Sequence, residues 1–196
     1  MNRTTTAVIL LLAICSACSG ETKGSQTASG TTTAGAGRTQ GARAFDACAL
    51  LLKADVDATF APRTFTLDPA SQPDIAGTAT LASVSTCTFV SAGASVRDMM
   101  TVGLLARRSP SDASGVTAAT AKVGAAQLKA TPVDLPGLGD AAYWINLGSA
   151  NRPSIQVNVF KGPRVWLIFS ASAAGLDANA TVEHLAKIAE AALGRL

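Results

Sequence analysis

Ile155-Gln156-Val157-Asn158-Val159-Phe160, then Lys161-Gly162-Pro163-Arg164, then Val165-Trp166-Leu167-Ile168-Phe169-Ser170: this stretch settles the kind of fold. Both runs alternate with a period of two and are rich in β-branched and aromatic residues, and a Gly-Pro turn separates them, so they read as an antiparallel hairpin. Loop length fixes which side chains share a face. With a loop of three residues Lys161 opposes Val165, and Ile155, Val157, Val159, Val165, Leu167 and Phe169 all point one way, as a core face must. The other face then carries Gln156, Asn158, Phe160, Trp166 and Ile168, a mixed surface that needs a cover or a ligand. A loop of two residues would scatter the apolar side chains over both faces and put Pro163 in an awkward turn position, so the longer loop is expected.

Working outward, residues 141–147 make a strand before this hairpin. Residues 80–90, rich in Thr, Val and Ser, and residues 95–107 make two more, joined by a turn at Ser91-Ala92-Gly93-Ala94. Residues 46–60 read as helix in two short pieces, with Ala49, Leu51, Leu52, Val56 and Phe60 on its apolar side. Ser109-Pro110 followed by Asp112 has the chemistry of a helix start, for a helix running to about Lys122 or Val123 ahead of Gly124. Asp177 or Asn179 can cap a closing helix in which Val182, Leu185, Ile188, Ala189, Ala192 and Leu193 recur at helical spacing. The expected class is α+β: an antiparallel sheet of about five strands with packed N-terminal, central and C-terminal helices.

The remaining chain says where this domain works. One cation, Arg3, precedes an apolar run from Ala7 to Ile14 and the small residues Ser16 and Ala17, the layout of a secretory signal. The run is far short of the ~20 residues that a membrane-spanning helix needs. Ile14-Cys15-Ser16-Ala17-Cys18 resembles a bacterial lipobox, with Cys15 where Leu is usual, and the resemblance makes Cys18 the acceptor of a diacylglyceryl thioether. Two or more acyl chains anchor stably, because each buried methylene contributes ~0.8 kcal/mol. Residues 1–17 are then signal peptide and residues 18–43 a Gly/Ser/Thr-rich linker that cannot bury enough surface to order itself. Its root-mean-square span is about 28 Å. Residues 44–196 are the globular domain. Cys48 and Cys87 remain in an oxidising compartment, where a disulfide is expected. Closing a loop of about 40 residues would stabilise the fold by roughly 4 kcal/mol. A metal site of these two cysteines with His184 lacks ligand spacing.

The net charge of +3 belongs to the N-terminal region, because from residue 44 onward 12 Lys and Arg face 12 Asp and Glu. A neutral domain offers phosphate no cluster of uncompensated cations, which excludes nucleic acid as the expected partner. Gly137-Leu138-Gly139-Asp140-Ala141-Ala142 satisfies Gly-x-Gly-x-x-Ala, but no buried parallel strand precedes it and Tyr143-Trp144-Ile145 after it prefers strand to helix. It reads as a tight bend entering a strand, with Asp140 bonding loop amides. No nucleophile elbow accompanies the one histidine, and the aspartates sit in capping, turn and loop contexts, so neither a catalytic set nor a cofactor is expected.

Cys48-Ala49-Leu50-Leu51, a short helix over residues 54–60, Cys87-Thr88-Phe89 on a strand, Gly137-Leu138-Gly139-Asp140-Ala141-Ala142-Tyr143, a Lys-Gly hairpin and an Ala-rich closing helix together resemble the uncharacterised envelope lipoproteins abundant in actinobacteria. Lys53 stands where those proteins often carry capping chemistry. The resemblance implies an exported α+β domain akin to the PsbP-like sandwich, with no established catalytic residue. The expected role is a non-catalytic protein anchored to the cell membrane by its lipid. In a bacterium with two membranes, Ser19 after Cys18 permits the outer one. Such a protein would bind a protein partner or assist assembly at the cell surface. The alternative is a carrier of a small apolar ligand or lipid, held by Phe160, Trp166 and Ile168 beneath the closing helix.

Overall fold

The computed structural model describes residues 46–71, 77–78, 80–93, 95 and 98–196. The signal, Cys18 and the linker of residues 18–43 lie outside the described residues. The elements in chain order are α1 (Ala47–Leu50), α2 (Lys53–Thr59), β1 (Phe65–Leu67), β2 (Ser83–Ser91), β3 (Thr101–Arg108), α3 (Ala118–Gln127), β4 (Val133–Asp134), β5 (Ala141–Asn146), β6 (Ser154–Lys161), β7 (Val165–Ser172) and α4 (Ala178–Leu193).

All strand pairs are antiparallel, in the order β1-β2-β3-β7-β6-β5-β4. The sheet is thus two meanders joined along β3 and β7, with Thr101 opposite Ser172 and Arg108 opposite Val165. The class is α+β, but the sheet has seven strands rather than about five. The two additional strands are its edges, β1 with three residues and β4 with two, too short to display an alternation that sequence can reveal. The hairpin register is the expected one: Lys161 pairs with Val165 across a loop of three residues.

The first face of the sheet is the core. Ile155, Val157, Val159, Leu167 and Phe169 are completely buried there, with Val165 at the margin. α1 lies on β2 and β3, α2 on β1, and α4 on β6 and β7, itself in contact with α2. Asp46 caps α1 through the N–H groups of Cys48 and Ala49, and the N–H of Ala47 donates to Ser85 Oγ on β2 at 3.0 Å. The expected break in the first helical segment falls at Leu51 and Leu52. α2 then starts at Lys53 with no side-chain cap, and its C-terminal neighbour Ala61-Pro62 is a cis peptide. Arg195, just beyond α4, ties this layer together by pairing with Asp55 at 2.6 Å and donating to the Leu50 carbonyl at 2.8 Å.

Three expected boundaries move. The connection after β2 extends to Met100, so β3 begins at Thr101 rather than near residue 95. The central helix starts at Ala118, capped by Thr117, and not at Ser109-Pro110. The hairpin loop is the reason. Ser109 donates its N–H to the Arg164 carbonyl at 2.8 Å, and the Arg164 guanidinium donates to the carbonyls of Ser109 and Pro110 at 2.8 and 2.6 Å. Those backbone groups are therefore engaged by the loop, and only a single 3-10 turn, Asp112–Ser114, follows. A Cβ on Gly115 would fall 1.8 Å from the Pro163 carbonyl oxygen, so the loop packs directly on this turn. Gly124 does not end α3 either. The helix continues to Gln127 and closes where Lys129 takes φ 59°, letting Ala130 N–H reach the Ala125 carbonyl.

The two larger helices differ sharply in what they bury. α4 puts Val182, Leu185, Ile188, Ala189 and Ala192 into the core. At ~1.5–3 kcal/mol for each large side chain, the first three alone contribute about 5–9 kcal/mol. α3 buries only Ala121 and Ala125, two methyl groups, or about 2 kcal/mol at most.

Candidate binding face

The second face of the sheet is built by the residues between those of the core. One row across it runs Val84, Arg107, Trp166, Phe160, Ala141. The next runs Thr86, Leu105, Ile168, Asn158, Tyr143. The expected ligand residues therefore do share a face, though their surroundings differ. Phe160 is only 5% exposed, whereas Trp166 and Ile168 are half-buried.

Phe160 is buried by other rings. It stacks on Tyr143 with centroids 6.2 Å apart and on Trp166 at 5.7 Å, with interplanar angles of 22° and 14°. α3 packs on this ladder through Ala121 and Ala125, with Ala130 and Ile145 completing the cluster. The cover expected for Phe160 and Trp166 was the closing helix, and that expectation is corrected: α4 packs in the cluster of Ile155, Val157 and Phe169, on the opposite face. Even numbers of residues separate Phe160 from Asn158 and odd numbers from Val157, so the pleat cannot bring α4 and Phe160 together.

Sequence reading gave no special role to Asn158. It is only 2% exposed, and its Oδ1 accepts a hydrogen bond from Trp166 Nε1 at 3.1 Å. Its Nδ2 has no hydrogen-bond partner among the described residues. The Trp166 N–H can only donate, so it orients the amide with the oxygen toward the indole and the donors away. An alternating strand places Asn158 on this face, but only the diagonal reach of the indole from β7 to β6 shows what holds it.

Beyond α3 the second face continues over β7, β3 and β2. Leu105, Arg107, Trp166, Ile168 and Ser170 are half-buried there. Arg107 is the cross-strand neighbour of Trp166, and its buried Nε has no hydrogen-bond partner among the described residues.

Beside α3 lies a cleft of about 220 Å³, walled by Ala118 and Lys122 of the helix and by residues 134–142. Lys122 crosses its mouth to pair with Asp134 of β4 and lies 5.7 Å from the centre of the Tyr143 ring. Burial raises the Tyr143 hydroxyl above its ordinary pKa. The Gly-x-Gly segment is the expected bend, with Gly137 and Gly139 at φ 87° and 62° and β5 starting at Ala141. Asp140 accepts a hydrogen bond from Gly162 N–H at 2.6 Å and one from Lys161 at 3.0 Å. Those two bonds, Gly162 first, hold its carboxyl below the usual carboxylate range. Its partner amide belongs to the β6–β7 loop, so Asp140 locks the bend onto the hairpin.

The other expected residues have structural surroundings. Cys48 and Cys87 stand at disulfide distance, 2.11 Å between sulfurs, and staple α1 to β2. The His184 ring meets Phe60 edge-on at 5.2 Å. Asp46, Asp57, Asp68, Asp140 and Asp177 each accept at least one backbone N–H. Among the described residues no three His, Cys, Asp or Glu side chains gather as a metal site would require. The chain matches no family model, no curated protein and no solved structure.

Proposed function

We propose that this chain is a lipid-anchored cell-envelope lipoprotein, exported by residues 1–17, moored through Cys18 and held off the bilayer by the linker of residues 18–43. Its domain acts without catalysis, as a binding or accessory module at the cell surface. The contact surface is the half-buried stretch of the second sheet face around Trp166 and Ile168. What supports this reading is the contrast between the two faces: the first is sealed by α1, α2 and α4, while the second leaves the Trp166 indole, Ile168, Leu105 and Arg107 only half-buried. Desolvated aromatic and arginine side chains are the groups that dominate protein interfaces. The carboxylates support a non-catalytic role, because those at positions 46, 68 and 177 serve caps and turns and those at 57 and 140 bond the amides of Phe65 and Gly162. A carrier with its cargo between Phe160 and the closing helix finds no support, since those groups lie on opposite faces.

The test has two arms. Labelled palmitate should enter the wild-type protein and not Cys18→Ala, which should leave the membrane fraction. Unchanged partitioning of the variant would remove the anchor. In cells, a photo-crosslinking residue at position 168 should trap a discrete adduct that the same residue at position 183 on α4 does not. Equal trapping at both positions would remove the contact face.

A further inference from the structure

Residues 118–127, Ala-Ala-Thr-Ala-Lys-Val-Gly-Ala-Ala-Gln, bury nothing larger than a methyl group against the sheet, and the two branched side chains, Thr120 and Val123, are exposed. Besides Ala121 and Ala125, α3 is held by the half-buried Ala118, by the Lys122 ammonium over the Tyr143 ring and by the exposed Lys122–Asp134 ion pair, the last a type of contact that stabilises little. Beneath it lie the Tyr143 and Phe160 rings, and on the same sheet face stands the Asn158 amide, whose Nδ2 is buried with no hydrogen-bond partner among the described residues. Tyr143 and Asn158 are direct cross-strand neighbours on this face.

The cleft beside α3 is separated from these rings by very little. Ala118, at the first position of the helix, and Ala141 both line the cleft, and both pack on the cluster that contains Phe160. Displacing the first turn of α3 would join the cleft to the aromatic floor. We propose that α3 is a lid over a binding site for a small, uncharged, mainly apolar molecule with one hydrogen-bond acceptor. The rings of Tyr143 and Phe160 form the floor, and Asn158 Nδ2 donates to the acceptor oxygen.

Each property of the ligand follows from a residue. It is mainly apolar because Ala118, Leu135, Leu138 and Ala141 stand in the wall of the cleft and the floor proposed beyond them is two rings. It is uncharged because Lys122 and Asp134 satisfy each other at the mouth, and Asp140 is satisfied by Gly162 and Lys161. It carries an acceptor because Trp166 occupies the amide oxygen of Asn158 and leaves only its N–H groups free. Such a site is largely closed until the ligand favours the open state. The inference goes beyond the anchored binding module and does not depend on it, since neither Cys18 nor the face around Ile168 takes part.

Two measurements on the full domain test it. Amide exchange should be at least about tenfold faster in α3 than in the buried turns of α4, as expected for a helix held by few apolar contacts. Equal protection of the two helices would mean that the lid does not open, and would overturn the proposal. The second uses cyclohexanone and methylcyclohexane, similar in size, of which only the ketone has an acceptor. Both should shift the Trp166 indole N–H resonance saturably, and the ketone should show contacts to the Tyr143 and Phe160 rings in nuclear Overhauser spectra. The ketone should bind about fivefold more tightly, the worth of one net hydrogen bond, and Asn158→Leu should abolish that preference. Absence of ring contacts in the wild type overturns the site without recourse to any variant. Equal binding of the two probes overturns the role of Asn158, whose amide would then hold a resident water.

Discussion

Asp140 and the two glycines before it show how much a single position can carry. The folded pKa of Asp140 is depressed, so the stability it contributes is present above its unfolded value near ~3.9 and is lost as pH falls through the lower folded value. Asp140→Asn should therefore be less stable than wild type at pH ~6, and the difference in melting temperature should shrink on titration toward pH ~2. Asp57, whose carboxyl is lowered chiefly by Lys53 and also by the Phe65 amide, adds to the same acid limb. At Gly139 both backbone and space are restrictive: φ is 62° and a Cβ would lie 2.7 Å from the Phe160 carbonyl oxygen. At Gly137 φ is 87° but the surroundings are open. Gly139→Ala should cost about 2–4 kcal/mol and Gly137→Ala about 1–2, measured as shifts in the urea midpoint. The bend was legible because Gly-x-Gly-Asp is local chemistry, whereas the loop amide that Asp140 bonds, Gly162 of the hairpin, is supplied by the tertiary fold. The pairing of Asn158 with Trp166 was not, because the two residues belong to different strands and meet only diagonally.

The helices obey local rules to different degrees. α4 has a cap, Asp177, whose carboxylate accepts from Ala180 N–H at 2.8 Å, and a continuous apolar stripe. Both were visible in the sequence. Asp177→Ala should cost about 1 kcal/mol, and Leu185→Ala about 2–5 kcal/mol, both by chemical denaturation. α3 was misplaced at its start and its end because stronger partners overrode local signals. Arg164 engages the backbone at Ser109 and Pro110, and Lys129 rather than a glycine takes the left-handed closing position. Glycine adopts that conformation without a Cβ penalty, so Lys129→Gly should raise stability by about 0.5–1 kcal/mol. Circular dichroism melts of the variant and the wild type would show the gain, and a loss would contradict the assigned helix end. The edge strands β1 and β4 escaped notice for a different reason: two or three residues contain no period.

For the whole domain, the Cys48–Cys87 staple spans 39 positions of sequence and joins α1 to β2, the strand next to the β1 edge of the sheet. Reduction, or the Cys48→Ser/Cys87→Ser pair, should lower stability by roughly 4 kcal/mol in the chain-entropy model, read as a denaturant midpoint with and without reductant. An unchanged midpoint would mean that the bridge constrains little of the unfolded chain. The sequence by itself determined the class of fold, the hairpin register, the core stripe of the last helix, and the expectation of a bridge, because periodicity, turn chemistry and cysteine number are properties of neighbours along the chain. Only the tertiary structure decided that α3 rather than α4 lies over Phe160, that Asn158 is oriented by Trp166, and that a cleft opens beside Ala118. Which face of a sheet a helix covers depends on the path of its connections and on every other side chain competing for that surface, and no periodicity within the helix encodes it.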